Sequence, residues 1–479
     1  MPKRPNILLI MSDNQPADAM GCSGNDELHT PHLDALAQRG TRFANAFCVN
    51  AMCSPCRASV LTGLMPSQHG IHNWLDDTRM ARWPENWSAI GEFPTLPSLM
   101  KQAGYATAMI GKFHLGVPFT AQLGFDHWVT MPHGHTTSFF GTEIIENGTR
   151  SMPSGHSVDI FANKTVEFLE NRADGEEPFF AFVPFNGPYG HWPAIAGRGP
   201  GPHADLYDDC PMQSVPREAI SSRVLDRFAQ RVASGGLREQ FKGPLVLPNN
   251  LDALRNYFAQ ITLMDAAIGR IMDTLDRLDM REDTIVIFTA DHGFSLGHNG
   301  VWGHGAAAFP ASAHRPSYHI PLIMAGTGIA EGEVSTDLIS QIDLFPTLAV
   351  LAGINVPPTG AQNMLTSPTR DAVFIEQEET RAIRTPNWLY VQRFADADGF
   401  PLGHELYDLK ADPGEHDNLI ASQDHTDIIT DLSSRLEEYF AAHSSPKYDL
   451  WSGGTAKSNV TFDDLWKNAW GSDWRPEFC

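Results

Sequence analysis

Short apolar runs that end in polar loops recur along the first three quarters of the chain. Ile7 to Met11 is a continuous apolar run closed by Ser12-Asp13-Asn14, the pattern of a buried parallel strand with a loop at its carboxyl end. Tyr105 to Ile110 runs into Gly111-Lys112, and Thr284 to Ala290 into Asp291-His292-Gly293; Phe179 to Phe185 and Ile320 to Met324 complete the series. Between these runs the period changes. Thr30-Pro31 opens a helix over His32 to Arg39, closed by Gly40. From Asp252 to Met280, apolar residues fall at Leu254, Tyr257, Ile261, Met264, Ile268, Ile271 and Leu275, steps of three and four that predict a long amphipathic helix.

Strands alternating with helices predict an α/β fold: a large, mostly parallel sheet flanked by helices. Ligands of such sheets bind beyond the carboxyl ends of the strands. Asp13, Lys112 and Asp291 each stand just past a strand end and are expected to converge. Near Pro357 the pattern shifts. Ala372 to Glu376 and Trp388 to Arg393 read as strands and Asp427 to Phe440 as a helix, so a smaller C-terminal α+β domain with an antiparallel sheet is expected. The expected division is a catalytic domain over residues 1–356, the smaller domain over 357–445 and a Trp-rich tail over 446–479. Residues 192–250, rich in Gly and Pro, read as an insertion over the sheet edge that serves as a lid. Trp466, Trp470 and Trp474 are expected to form a homo-oligomer contact, or to reach the rim of the neighbouring subunit's site; packing on the same chain stays open.

Hydrophobic residues make up 42% of the 479 positions and charged residues 19%, an ordinary folded composition. The formal net charge of −23 argues against broad nucleic-acid binding, which needs a basic footprint. An anionic substrate would need a local positive pocket or a metal to offset that field. The Ile7 to Met11 run is too short for a signal-peptide core and no run has membrane-spanning length, so no membrane association and a cytoplasmic location are expected, a removed leader aside. The six cysteines, at 22, 48, 53, 56, 210 and 479, are too irregularly spaced for a disulfide framework.

The cluster with chemical meaning is Cys53-Ser54-Pro55-Cys56-Arg57, followed by Thr62-Gly63. Taken alone, Cys-x-x-Cys also fits redox or zinc chemistry. With its surroundings it resembles the signature of formylglycine-dependent sulfatases, in which Cys-x-Pro-x-Arg and a downstream Thr-Gly direct oxidation of the cysteine by a maturation enzyme. The resemblance spans nearly the whole chain. Pro5 to Asn14 looks like the family's opening strand and metal loop. Gly111-Lys112-Phe113-His114-Leu115-Gly116 is similar to its Gly-Lys-Trp-His-Leu-Gly motif, Thr289-Ala290-Asp291-His292-Gly293 to its second metal loop, and Glu405 to Leu409 with Asp412 to Glu415 to its C-terminal signature.

The resemblance implies a sulfuric ester hydrolase of the alkaline phosphatase superfamily, acting on a small-molecule or saccharide sulfate ester. Cys53, as a formylglycine hydrate, would be the nucleophile. One hydroxyl attacks sulfur and the other expels sulfate by collapsing to the aldehyde. Asp13, Asn14, Asp291, His292 and the oxygen of modified Cys53 would hold one divalent metal. Oxygen donors put calcium first, with magnesium, manganese or zinc open because of His292. Arg57 and Lys112 would face the sulfate, and His114 would orient the hydrate. Three positions depart from the family pattern. Asn14 replaces an aspartate. Tyr189 occupies a histidine position, with His191 two residues on. His304 takes the place of a lysine, leaving His191 or His304 to protonate the leaving group. Two other readings stand beside this one: a phosphonate monoester or phosphodiester hydrolase on the same scaffold, and a non-catalytic thiol- or metal-binding protein.

Overall fold

In the computed structural model, residues 4–190, 201–233, 243–367, 369–394 and 403–478 are described. The long apolar runs lie at the centre of one sheet: β1 (Asn6–Asp13), β3 (Ala106–Gly111), β7 (Phe179–Pro188) and β8 (Thr284–Ala290). The flanking strands are β2 (Gly40–Phe47), β4 (His127–Thr130), β5 (Ile144–Glu146), β6 (Thr149–Ser151), β11 (Leu322–Ala325) and β12 (Glu333–Ser340); β9 (Ser295–Leu296) and β10 (Trp302–Gly303) pair apart from it. Among the described residues the sheet order is β12-β2-β11-β8-β1-β7-β3-β4-β5-β6. The five central strands from β8 to β4 run parallel, and β11 is antiparallel to both β8 and β2. The sheet is therefore mixed, with the expected parallel centre. β1 registers between β7 and β8, with Leu9 opposite Phe182 and Ile287, which is why that run carries no polar residue before Ser12.

Helices cover both faces. On one, Leu251–Arg277 packs Met264, Ile268 and Ile271 with Ser157–Glu170 and Pro31–Gln38 against Leu8, Ile10 and Val183. On the other, Cys53–Thr62 and Leu344–Leu351 pack against Leu9, Phe182 and Ile287. The smaller unit is an antiparallel sheet of β13 (Val373–Gln377), β14 (Thr380–Arg384), β15 (Trp388–Arg393) and β16 (Glu405–Asp408), packed on the helix Thr426–His443 through Ile383, Tyr390, Leu432 and Leu436.

The described part of the 192–250 insertion does not read as a free lid. Tyr207, Met212 and Val215 are built into a core with Tyr257, Phe258 and Trp302, and Ser222–Ala233 is a helix. The tail packs on its own chain. Trp466 is fully buried with Leu450, Ala456 and Leu465, and Trp474 packs on the same cluster. Trp470 donates its indole N–H to the Leu450 carbonyl and stays 40% exposed. Among the described residues, no helix is long and apolar enough to cross a membrane.

Candidate active site

The carboxyl ends of β1, β3, β7 and β8 meet the first turn of Cys53–Thr62. Met52 enters that helix in an extended conformation, placing Cys53 at its first position, where unpaired backbone N–H groups favour an anion. Gly63 ends the helix at φ 69°, with its N–H donating to the Ser59 carbonyl, a left-handed close that glycine adopts without strain. Gly111 is required for another reason: a Cβ there would stand 2.0 Å from the Pro184 carbonyl oxygen, so only glycine lets β3 pass β7 on its way to Lys112.

Donor atoms of Asp13, Cys53, Asp291 and His292 all lie within 4.8 Å of one another, and all four residues are buried. The Cys53 Sγ is 3.6 Å from Asp13 Oδ1 and 3.4 Å from His292 Nε2. His292 Nδ1 lies 2.8 Å from the Gly293 carbonyl oxygen. A carbonyl can only accept, so Nδ1 carries the proton and the Nε2 lone pair faces the cluster. Asn14 follows Asp13 at φ 63°. Its backbone N–H donates to Asp291 Oδ1 at 3.3 Å, and both its side-chain amide atoms are buried without a hydrogen-bond partner. Two carboxylates, an unsatisfied amide and a pre-set imidazole around one point fit a divalent cation.

Two cations share this space. Arg57 donates from Nη2 to Asp13 at 3.0 Å and to Asp291 at 2.9 Å, and from Nη1 to the Lys112 carbonyl. Lys112 Nζ meets Asp13 Oδ2 at 2.5 Å and lies 5.1 Å over the Tyr189 ring centre. Burial opposes the charge on both side chains, but the facing carboxylates outweigh it and hold their pKa values up. Asp291 is held below the usual carboxylate range: burial opposes this, and His292, Arg57 and Lys112 prevail. The Cys53 thiol is pushed far up by burial and by Asp13 and Asp291, so an unmodified Cys53 would be a poor nucleophile.

His114, at φ 53°, places Nε2 3.0 Å from the Leu75 carbonyl oxygen and leaves Nδ1 without a partner. The proton therefore sits on Nε2 and Nδ1 is a lone-pair acceptor. Burial, then Lys112 and His135, keep His114 well below the ordinary histidine pKa, so it is neutral at pH 7. The His304 ring lies 4.5 Å from that of His292. His191 falls outside the described residues. Cys56 turns away from the cluster, its Sγ donating to the Asn50 carbonyl at 2.6 Å, and neither cysteine of the pair is in a disulfide.

Sequence reasoning did not assign a role to Tyr257, whose hydroxyl donates to the Asn14 carbonyl at 2.5 Å. It also missed Gln341, whose Nε2 donates to the carbonyls of Ala290 and Asp291. Tyr257 had been visible only as one apolar position of a helix, and Gln341 had no signal. Tyr207, an aromatic residue of the 192–250 insertion, is fully buried with its hydroxyl on Thr262 and the His29 N–H, so it offers no face to a ligand.

Residues 5–354 match the family model described as sulfatase, and residues 312–442 match the model of the N-sulphoglucosamine sulphohydrolase C-terminal region. The chain is 28% identical to an N-acetylglucosamine-6-O-sulfatase of Bacteroides thetaiotaomicron, over 91% of this chain and 86% of the relative. It is 31% identical to a choline-sulfatase of Rhizobium meliloti, over 87% and 82%. A solved structure in complex with its substrate D-glucosamine-2-N,6-O-disulfate superposes with a TM-score of 0.74 at 25% identity, covering 92% of this chain and 98% of that one.

Proposed function

The chain belongs to the sulfatase family and is a sulfuric ester hydrolase, and from that premise we propose that its substrate is a sulfate ester of a carbohydrate. The observation that carries the reading is the meeting of Cys53, at a helix N-terminus, with the Asp13–Asp291–His292 donor set and the Arg57 and Lys112 cations. Relatives named for sulfated amino sugars support the choice of alcohol.

Asp13, Asn14, Asp291 and His292 would hold the divalent metal, with calcium first because most donors are oxygens. Once bound, the metal supplies positive charge against the sulfate oxygens. Within the protein, two carboxylates face two cations, so a divalent ion leaves a surplus of positive charge that suits a singly charged sulfate ester. Arg57 spans Asp13 and Asp291 and fixes both carboxylates, acting as a cation that cannot deprotonate. Lys112, held between Asp13 and the Tyr189 ring, would bind sulfate oxygens. Formylglycine at residue 53 supplies the nucleophilic hydroxyl. The unprotonated Nδ1 of His114 would accept the remaining hydroxyl proton. We assign protonation of the departing alkoxide to His304, which stands beside His292.

The test compares kcat/KM for nitrophenyl sulfate, phosphonate and phosphodiester, then for sulfated sugars, on protein whose residue 53 is verified by peptide mass. Sulfate and sulfated sugars should be preferred. A phosphonate or diester preference above about a hundredfold, roughly 2.7 kcal/mol, would overturn the assignment.

A further inference from the structure

The helix Ser222–Ala233 presents one face to the protein. Arg223 on it pairs with Glu405 at 2.6 Å, and Val224 packs with Val301 and Ala308. The next residue on that face is Arg227, only 8% exposed. Among the described residues Arg227 has no hydrogen-bond or ion-pair partner; its Nε is buried and unsatisfied, and its guanidinium lies 4.5 Å over the Phe462 ring centre. One turn on, Arg231 donates to the Ala306 carbonyl at 3.4 Å. Ala306 is two residues past His304, so Arg231 reaches the loop that carries the group beside His292.

Burial disfavours the charge on Arg227 and the fields of Glu378 and Glu379 favour it, but neither carboxylate pairs with it directly. Glu378 takes hydrogen bonds from Asn73 Nδ2 and from the Thr461 N–H and hydroxyl, and Glu379 from the Ala311 N–H and the Thr380 hydroxyl. Burial, with the charge of Glu379, pushes Glu378 up to about 8. A buried guanidinium with no partner is costly, and a purely structural role at that position would be filled better by an apolar residue. Its flat fork of donors matches a carboxylate or sulfate group. In a chain of net charge −23, a second anionic group on a substrate would need such a local cation.

We propose that Arg227, with Arg231 behind it, forms a second anion subsite on the leaving-group side, which takes a carboxylate or a further sulfate carried by the alcohol of the sulfate ester. This rests on the sulfate-ester reading above and narrows it to substrates with two anionic groups.

The experiment uses the matured full chain and two matched substrate pairs. One pair is glucosamine 6-sulfate against glucosamine 2-N,6-O-disulfate; the other is 4-nitrophenyl sulfate against a carboxylated nitrophenyl sulfate. The wild type should favour the doubly anionic member of at least one pair by tenfold or more in kcat/KM. In Arg227→Gln that ratio should fall at least tenfold, through KM, with a melting temperature equal to or above that of the wild type. Arg227→Lys should keep part of the ratio, and it becomes the deciding variant if Arg227→Gln does not fold. No preference in the wild type, a preference that survives Arg227→Gln, or an equal loss on both members of a pair would overturn the subsite. A preference confined to the nitrophenyl pair, with no sugar turned over, would keep the subsite and sink the carbohydrate reading. Turnover of both sugars at equal rates, with no preference in the nitrophenyl pair, would do the reverse.

Discussion

Tyr257→Phe tests whether the long helix Leu251–Arg277 sets the metal loop from behind. The tyrosine is fully buried, and its hydroxyl is the donor to the carbonyl of Asn14, the residue held at φ 63° with an unsatisfied amide. Phenylalanine keeps the ring and removes one donor, leaving a buried carbonyl unpaired, a cost of about 1–3 kcal/mol. Unfolding entropy of about 2.1 cal/mol/K per residue over 479 residues makes one degree worth about 1 kcal/mol, so the melting temperature should fall by roughly 1–3 °C. The larger effect should be on the metal. A partner that orients a ligand loop is worth about 10–100-fold in affinity, or about 1.4–2.7 kcal/mol, the same size as the lost bond. The assay is calcium titration by calorimetry after chelation, with melting curves in both states and kcat/KM at saturating metal. A fall in melting temperature with calcium affinity within twofold of wild type would show that Tyr257 supports the fold but not the loop.

Other perturbations probe the rest of the molecule. Cys53→Ala should abolish turnover with the fold intact, and hydrazide should label the wild-type peptide ending at Arg57; Cys56→Ser, which keeps a donor for the Asn50 carbonyl, should stay within a few-fold of wild-type kcat. Asp291→Ala should lose bound metal by elemental analysis and most activity, whereas Asn14→Asp should tighten divalent binding by adding a charged ligand. Glu415 is buried, which alone would raise its pKa, but Arg384, His314 and the Arg315 N–H hold it at about 2. Its folded value lies below the ordinary glutamate value of 4.5, so it contributes stability above pH 4.5 that fades as pH falls toward 2. Urea unfolding should therefore show a gap of up to about 3 kcal/mol between wild type and Glu415→Gln at pH 7 that shrinks below pH 4.5; a gap independent of pH would contradict the pairing. Trp466→Ala should cost about 3–5 kcal/mol as a core truncation and leave the mass by light scattering unchanged.

The uninterrupted apolar runs at residues 7–11, 179–185 and 284–290 made the centre of the sheet legible, because a strand buried on both faces has nowhere to put a polar side chain. β2 and β12 escaped, since polar residues such as Asn45 in β2 and Glu333 in the edge strand β12 break the apolar run. The short β4, β5 and β6 are too brief to show a period. The nucleophile motif and both metal loops could be named from local spacing, since helix N-termini and strand-end turns are made by neighbouring residues. Tertiary structure decided the rest. Which nitrogen of His114 and His292 carries the proton follows from carbonyls at Leu75 and Gly293. The support that Tyr257 gives Asn14 spans 243 residues of sequence. Arg227 looks like any surface arginine until its helix is docked and its counter-ion is found missing among the described residues. The tail's tryptophans looked ready for a partner until Leu450, Ala456 and Leu465 were found already covering Trp466. Periodicity records which side of an element is buried, but not which distant group buries it; hydrogen-bond partners and counter-ions belong to that second question, and only the packed chain answers it.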